Sequence, residues 1–184
     1  ANVAVDDVQY TPQGQRITQI RTLLFQINAQ IDESINLLMD FTDLKRSQWF
    51  IINAVHPDYG DGKSRTIPQI ARARGLTRQA VAKSVEQLIE KGWLRLADNP
   101  DHKKSKLVEL TNFGKYAADV SVNRQKRRAN MWGESIPIED LDKVIDVMET
   151  LLKRHDPEMI KSVCTPLGLT FDDLKKMHDE VSVG

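Results

Sequence analysis

The stretch from Thr66 to Thr111 constrains the fold more than any other part of the chain, because its start and stop signals come in a fixed order. Thr66 and Gln69 stand three apart ahead of Ile70 and Ala71, the spacing at which a hydroxyl and an amide satisfy free helix-start N–H groups reciprocally, so a helix is expected from Thr66. Gly75 can take the left-handed conformation that closes it, and Thr77 can cap the next helix two residues on. That second helix, Arg78 to Lys91, carries Val81, Val85, Leu88 and Ile89 at helical spacing and should pack this stripe inward. Gly92 ends it. Trp93 to Leu96 then reads as a strand, Asp98 to Ser105 as a turn built on Asn-Pro with flanking Asp, and Leu107, Val108 and Leu110 as a return strand. Helix, sharp break, helix, strand, turn and strand is the order of a winged helix-turn-helix.

The face opposite the apolar stripe shows Arg78, Gln79, Ala80, Lys83, Ser84 and Gln87. Arg and Lys suit guanine or phosphate, Gln suits adenine, and a small Ala suits a thymine methyl, so double-stranded DNA is the expected partner and the major groove the expected seat. Thr77 and Ser84 are placed for phosphates. Lys103, Lys104 and Lys106 make the wing, residues 97–106, more basic than a minimal hairpin needs. Formal charge argues against this at first, since 26 basic and 26 acidic residues cancel. Distribution reverses the impression: between Lys63 and Lys106 eleven basic residues face four acidic ones, a net of +7 that leaves −7 for the rest. A basic module in an acidic scaffold is the electrostatic footprint of a polyanion-binding protein, with a solvated basic surface as the bland alternative.

Ile70-Ala71, Leu76-Thr77-Arg78-Gln79-Ala80-Val81, Leu88-Ile89-Glu90-Lys91-Gly92-Trp93 and Lys106-Leu107-Val108-Glu109-Leu110-Thr111 with Gly114 resemble the MarR family of bacterial transcriptional regulators. The resemblance covers about residues 44–116, and Leu110-Thr111-x-x-Gly114 is its most recognisable part. It implies a homodimer that binds a palindromic operator, usually as a repressor released by a small ligand or by oxidation. It also implies a dimer interface built by the first and last helices, and a cleft for an aromatic or acidic effector. In one respect the sequence departs from the pattern. Where the family's wing commonly carries Asp-x-Arg, this chain has His102 and Lys104, with an acid displaced to Asp101. Lysine lacks the planar fork with which arginine reads a minor groove.

Ahead of this module, Ile17, Ile20, Leu24, Ile27, Ile31, Ile35 and Leu38 recur every three or four residues along a long helix from Pro12. Such a stripe must pack on this chain's other helices, on a partner subunit, or on both. Leu44 to Val55 reads as the first helix of the winged domain, followed by a loop, His56 to Arg65, longer than the family usually has. That loop lacks the ligand spacing and terminal Glu of a calcium loop and reads as a surface insertion, from which Lys63 and Arg65 are candidates to reach DNA. Past the wing, Thr111 caps a helix ending in the basic cluster Arg124 to Arg128, which either extends a DNA footprint or is a solvated helix end. Pro137 opens a helix whose stripe of Leu141, Val144, Ile145, Met148, Leu151 and Leu152 is the natural mate of the N-terminal one. Thr170 with Asp173 can begin one more helix through Met177, an extra brace on the dimer.

The expected architecture is therefore mainly α with a small two- or three-stranded β wing. It comprises an N-terminal dimerisation helix at 12–41, a winged helix-turn-helix at 42–111, and C-terminal helices at 112–184 that complete the dimerisation domain. The residues expected at the dimer interface are Ile17, Ile20, Leu24, Ile27, Leu141, Val144, Ile145, Met148, Leu151 and Leu152. No metal, cofactor or catalytic constellation is expected, because His56, His102, His155 and His178 lack ligand-spaced neighbours and no phosphate loop or Ser-His-acid set occurs. A single cysteine, Cys164, excludes an intramolecular disulfide and reads as an inert thiol more readily than as a redox sensor. No apolar run approaches the ~18 residues of a membrane span, and a cytoplasmic location is expected. Two rival functions keep the fold: a winged-helix protein-interaction module, and a plasmid or phage maintenance protein that binds DNA without switching a promoter.

Overall fold

The computed structural model describes residues 8–58, 65–165 and 168–184. They form α1 (Pro12–Met39), α2 (Arg46–Val55), α3 (Ile67–Arg74), α4 (Arg78–Glu90), β1 (Leu94–Ala97), β2 (Leu107–Leu110), α5 (Asn112–Gly133), α6 (Ile138–Lys153), α7 (Pro157–Cys164) and α8 (Phe171–Ser182). The architecture is the expected mainly helical one with a small β wing. Two compact units divide the chain: Gln19–Glu134, and Ala1–Thr18 with Ser135–Gly184.

In the larger unit, local chemistry sets each boundary. Thr66 accepts from the Gln69 N–H at 3.3 Å while its own N–H donates to Gln69 Oε1 at 2.9 Å, so α3 starts on the reciprocal cap its sequence encodes. Gly75 closes α3 at φ +63°, and Thr77 Oγ1 accepts from Ala80 N–H at 3.1 Å to open α4. At the far end of α4, Gly92 takes φ +81°, Gly92 N–H donates to Ile89 C=O and Trp93 N–H to Leu88 C=O. These paired bonds satisfy carbonyls that the helix end would otherwise orphan. β1 and β2 pair antiparallel with Arg95 opposite Glu109 and Leu96 opposite Val108. On the outer edge of β2 the Val108 N–H donates to Arg65 C=O at 2.6 Å, so the segment before α3 flanks a two-stranded sheet.

One core gathers Trp49, Ile51 and Ile52 of α2, Ile70 of α3, Val81, Val85 and Leu88 of α4, and Leu94 and Val108 of the wing. It does not stop at residues 42 and 111, since Ile35, Leu38 and Met39 of α1 and Ala117 and Ala118 of α5 are buried in the same cluster. Trp49 Nε1 donates to Ser121 Oγ at 2.7 Å, tying α2 to α5 across that core. The long apolar stripe of α1 is thus divided: Ile35 and Leu38 are core, whereas Ile17, Leu24 and Ile27 stay exposed.

In the smaller unit, α6 begins after Pro137 with Glu139 and Asp140 in its first turn and Lys153 in its last, charges that suit the helix dipole. Ile17, Val147 and Leu151 line a shallow hollow of about 400 Å³ between the start of α1 and α6. Leu141, Val144, Ile145 and Leu152 remain exposed, and Met148 and Leu151 are half-buried, as is Ile20 in the larger unit. The tail forms two helices. α8 opens on a reciprocal Thr170–Asp173 cap and runs to Ser182, past Met177, because nothing between them breaks a helix.

Candidate nucleic-acid interface

α4 packs against α2 and α3 through Val81, Val85 and Leu88, which turns Arg78, Gln79, Ala80 and Lys83 to solvent. Thr77 is exposed as well; its Oγ1 already accepts from Ala80, leaving the O–H proton to donate to an acceptor such as a phosphate. Two expected members of this face turn inward. Ser84 is only 9% exposed, among the buried residues of α4. Gln87 is half-buried and its Oε1 accepts from Gln48 Nε2 at 3.1 Å. Gln87 spends its carbonyl oxygen on Gln48 of α2 and not on the outer face, and Ser84 sits at the edge of the buried stripe. In exchange, Ala82 and Glu86 are exposed on the outer face. Their helical spacing from Gln79 and Lys83 is the sequence signal that places them there.

Gln48 is buried and holds several groups in register. Its Oε1 accepts from the Lys45 N–H at 3.0 Å and from Lys91 Nζ at 3.4 Å, and Lys91 also pairs with Asp43 at 3.3 Å. The end of α4 is thereby fixed to the start of α2.

The wing is held by its own turn. Asn99 Oδ1 accepts from Asp101 N–H at 3.0 Å, and Arg95 pairs with Glu109 at 2.7 Å across the strands. Lys103 and Lys104 are exposed at the tip. Lys106 is not equivalent to them: it pairs with Asp98 at the base of the hairpin, and that contact holds the Asp98 carboxyl below the usual range. Arg65 lies beside the wing with Thr66, Asn99 and His102 around a hollow of about 630 Å³. Lys63 falls outside the described residues.

The basic cluster of α5 is tied to its own unit. Arg124 donates to Leu37 C=O at 2.8 Å and to Asp40 at 2.6 Å, and lies over the Phe41 ring. Lys126 pairs with Asp58 at 3.0 Å, and Arg128 donates to Ser34 and lies over Trp132. These cations brace α5 against α1 and the end of α2. His56, buried at 1% exposure, is likewise structural: Nδ1 accepts from Asp58 N–H at 3.1 Å, so Nε2 carries the proton given to Asp119 at 2.6 Å. A separate hollow of about 490 Å³ is lined by the four aromatic residues Phe41, Trp93, Phe113 and Tyr116 among others, with the Asp43–Lys91 ion pair in its wall.

A sequence model of the MarR family matches residues 42–105, the segment that carries α2, α3, α4, β1 and most of the wing turn. Residues 42–105 are similar to the MarR family, and the fold they lie in is a winged helix. Uncharacterised proteins of Mycobacterium bovis and Mycobacterium tuberculosis are 34% identical over 79 residues, 43% of this chain and 52% of theirs. The chain thus spans about half the length of these curated relatives. The fold extends beyond the MarR-family segment. The transcriptional regulator BldR from Sulfolobus solfataricus superposes with a TM-score of 0.61 at 17% identity, over 79% of this chain and all of that one. A MarR mutant from E. coli in complex with operator DNA gives 0.56 at 16% identity, over 74% and 96%. MarR from Staphylococcus aureus in complex with salicylate and kanamycin gives 0.58 at 18%, over 77% and 95%. Just past the matched segment, Leu110-Thr111-x-x-Gly114 has a local physical basis. Thr111 Oγ1 donates to Gly92 C=O at 2.6 Å and accepts from Gly114 N–H at 2.9 Å, clamping the start of α5 onto the end of α4.

Proposed function

We propose that this chain is a DNA-binding transcriptional regulator that places α4 in the major groove and its wing along the phosphate backbone. The observation that carries the reading is the outward set Arg78, Gln79, Ala80 and Lys83, exposed on a helix whose other side is buried core. Those side chains supply base-edge and phosphate partners on one surface. Lys103 and Lys104 extend it onto the flanking backbone, with Lys106 contributing less because Asp98 already neutralises it. The E. coli protein in complex with operator DNA, which shares the fold, supports DNA as the partner.

The regulator acts as a homodimer on a palindromic operator. Exposed apolar side chains, Ile17, Leu141, Val144, Ile145 and Leu152 in the smaller unit and Leu24 and Ile27 in the larger, are faces that a second copy would cover. Two recognition helices related by a twofold axis then meet half-sites about one helical turn, ~34 Å, apart. Repression relieved by a small aromatic acid fits the aromatic hollow beside Lys91, whose ammonium joins the end of α4 to Gln48. The salicylate complex of the S. aureus protein supports that ligand class. No helix among the described residues is long and apolar enough to cross a membrane. Selection of bound fragments from random duplex DNA tests the reading: enrichment of an inverted repeat is expected, and failure to enrich any sequence refutes it.

A further inference from the structure

On the outward face of α4, Gln79, Lys83 and Glu86 follow one another at i, i+4 and i+7, the spacing that sets side chains in line on a helix. All three are exposed, and Ala82 stands beside them. At 1.5 Å per residue the line is about 10 Å long, roughly three base steps at 3.4 Å each. Glu86 is the unexpected member. It is a carboxylate on the face that the reading above sets against a polyanion, within a segment of net charge +7. It makes no ion pair or hydrogen bond among the described residues, so it does not serve to hold a neighbouring cation in place.

A carboxylate is repelled by phosphates and by the acceptor atoms of guanine and thymine. Cytosine presents the amino group N4–H₂ in the major groove, and a Glu side chain can accept from it. We propose that Glu86 reads cytosine, as a specificity-determining residue of the recognition helix. Gln79, Lys83 and Glu86 then form an ordered code for adenine, guanine and cytosine along one line. Glu86 also penalises any register in which it meets the backbone or another base, so it raises discrimination while lowering affinity for unselected DNA. This inference rests on the DNA-binding reading.

Competition binding at one fixed salt concentration tests it, using a duplex selected from random DNA and versions with each base pair replaced in turn. The proteins are the full chain, Glu86→Ala and Glu86→Gln, with thermal melting to confirm that both exposed-site variants fold. One C·G position is expected at which replacement weakens the unaltered chain roughly 5- to 100-fold. Glu86→Ala should lose that discrimination and bind unselected DNA more tightly. Glu86→Gln should move the preference at that position to adenine, whose N6 and N7 match a carboxamide. Base preferences identical in all three proteins overturn the role of Glu86 while leaving DNA binding intact. Failure of the unaltered chain to bind any duplex removes the reading beneath it as well.

Discussion

Gly114 lies so close to the backbone of Trp93 that a Cβ at position 114 would stand 2.0 Å from the Trp93 carbonyl oxygen. That oxygen accepts from the Thr111 N–H at 3.0 Å, so the start of α5, the end of α4 and the entry to β1 converge at one point. A side chain here would have to move backbone, not the flexible end of another side chain. Gly114→Ala should therefore cost near the top of the ~1–3 kcal/mol range for overpacking. Urea unfolding of both proteins checks it. A loss below about 0.5 kcal/mol would mean that the junction relaxes freely.

Trp49 and Ser121 offer an independent check on the core that joins α2 to α5. Ser121 is 4% exposed and accepts from the indole N–H at 2.7 Å, so Ser121→Ala leaves a buried donor without its partner. The expected loss is about 1–3 kcal/mol, read as a lower midpoint in denaturant with an unchanged slope.

Asp119 links stability to pH. Lys115 first, and His56 second, hold its carboxyl below the usual 3.8. A carboxylate whose folded pKa is depressed contributes stability that is full above its unfolded value and is lost as pH falls through the folded one. The contribution should accordingly be present at pH 5 to 7 and fade below about pH 3.8. In Asp119→Asn the difference between stability at pH 6 and at pH 3 should shrink. Its being unchanged would show that the His56–Asp119–Lys115 contacts do not persist in solution.

Lys104 and Lys106 separate two kinds of wing lysine. Lys104 is exposed at the tip and Lys106 is paired with Asp98. Lys104→Ala should reduce the slope of log affinity against log salt by about one, as expected for one lost phosphate contact. Lys106→Ala should change it less. Equal effects would show that the Asp98 pair opens on binding.

Much of this was legible in the sequence wherever the cause is local. The Thr66–Gln69 cap, the left-handed Gly75 and Gly92 and the Thr77 cap each depend on residues within a few positions, and each holds. What was not legible depends on residues distant in sequence. The four apolar positions Val81, Val85, Leu88 and Ile89 fix the centre of the stripe on α4 but not its edges, and Ile89, at the margin, is exposed. Ser84 and Gln87 flank that stripe, and what draws Gln87 inward is Gln48, 39 residues earlier in the chain. The cluster at Arg124 to Arg128 has the composition of a DNA footprint, yet its partners Asp40, Asp58 and Ser34 lie on α1 and beyond α2. Glu86 carries no signal of its own in a segment of net charge +7, and only its place on the exposed face of α4 gives it meaning.

The most direct measurement is DNA binding by the full chain and by an Arg78→Ala, Lys83→Ala double variant over a range of salt concentrations. Both substitutions are on exposed side chains of the α4 surface, and the double variant should keep the unaltered protein's helicity, melting behaviour and oligomeric state. Its affinity should fall at least about tenfold, since each good base or phosphate contact is worth ~1–3 kcal/mol, and its salt slope should flatten. A double variant that binds as tightly as the original, with the same salt slope, would contradict the placement of α4 in the groove.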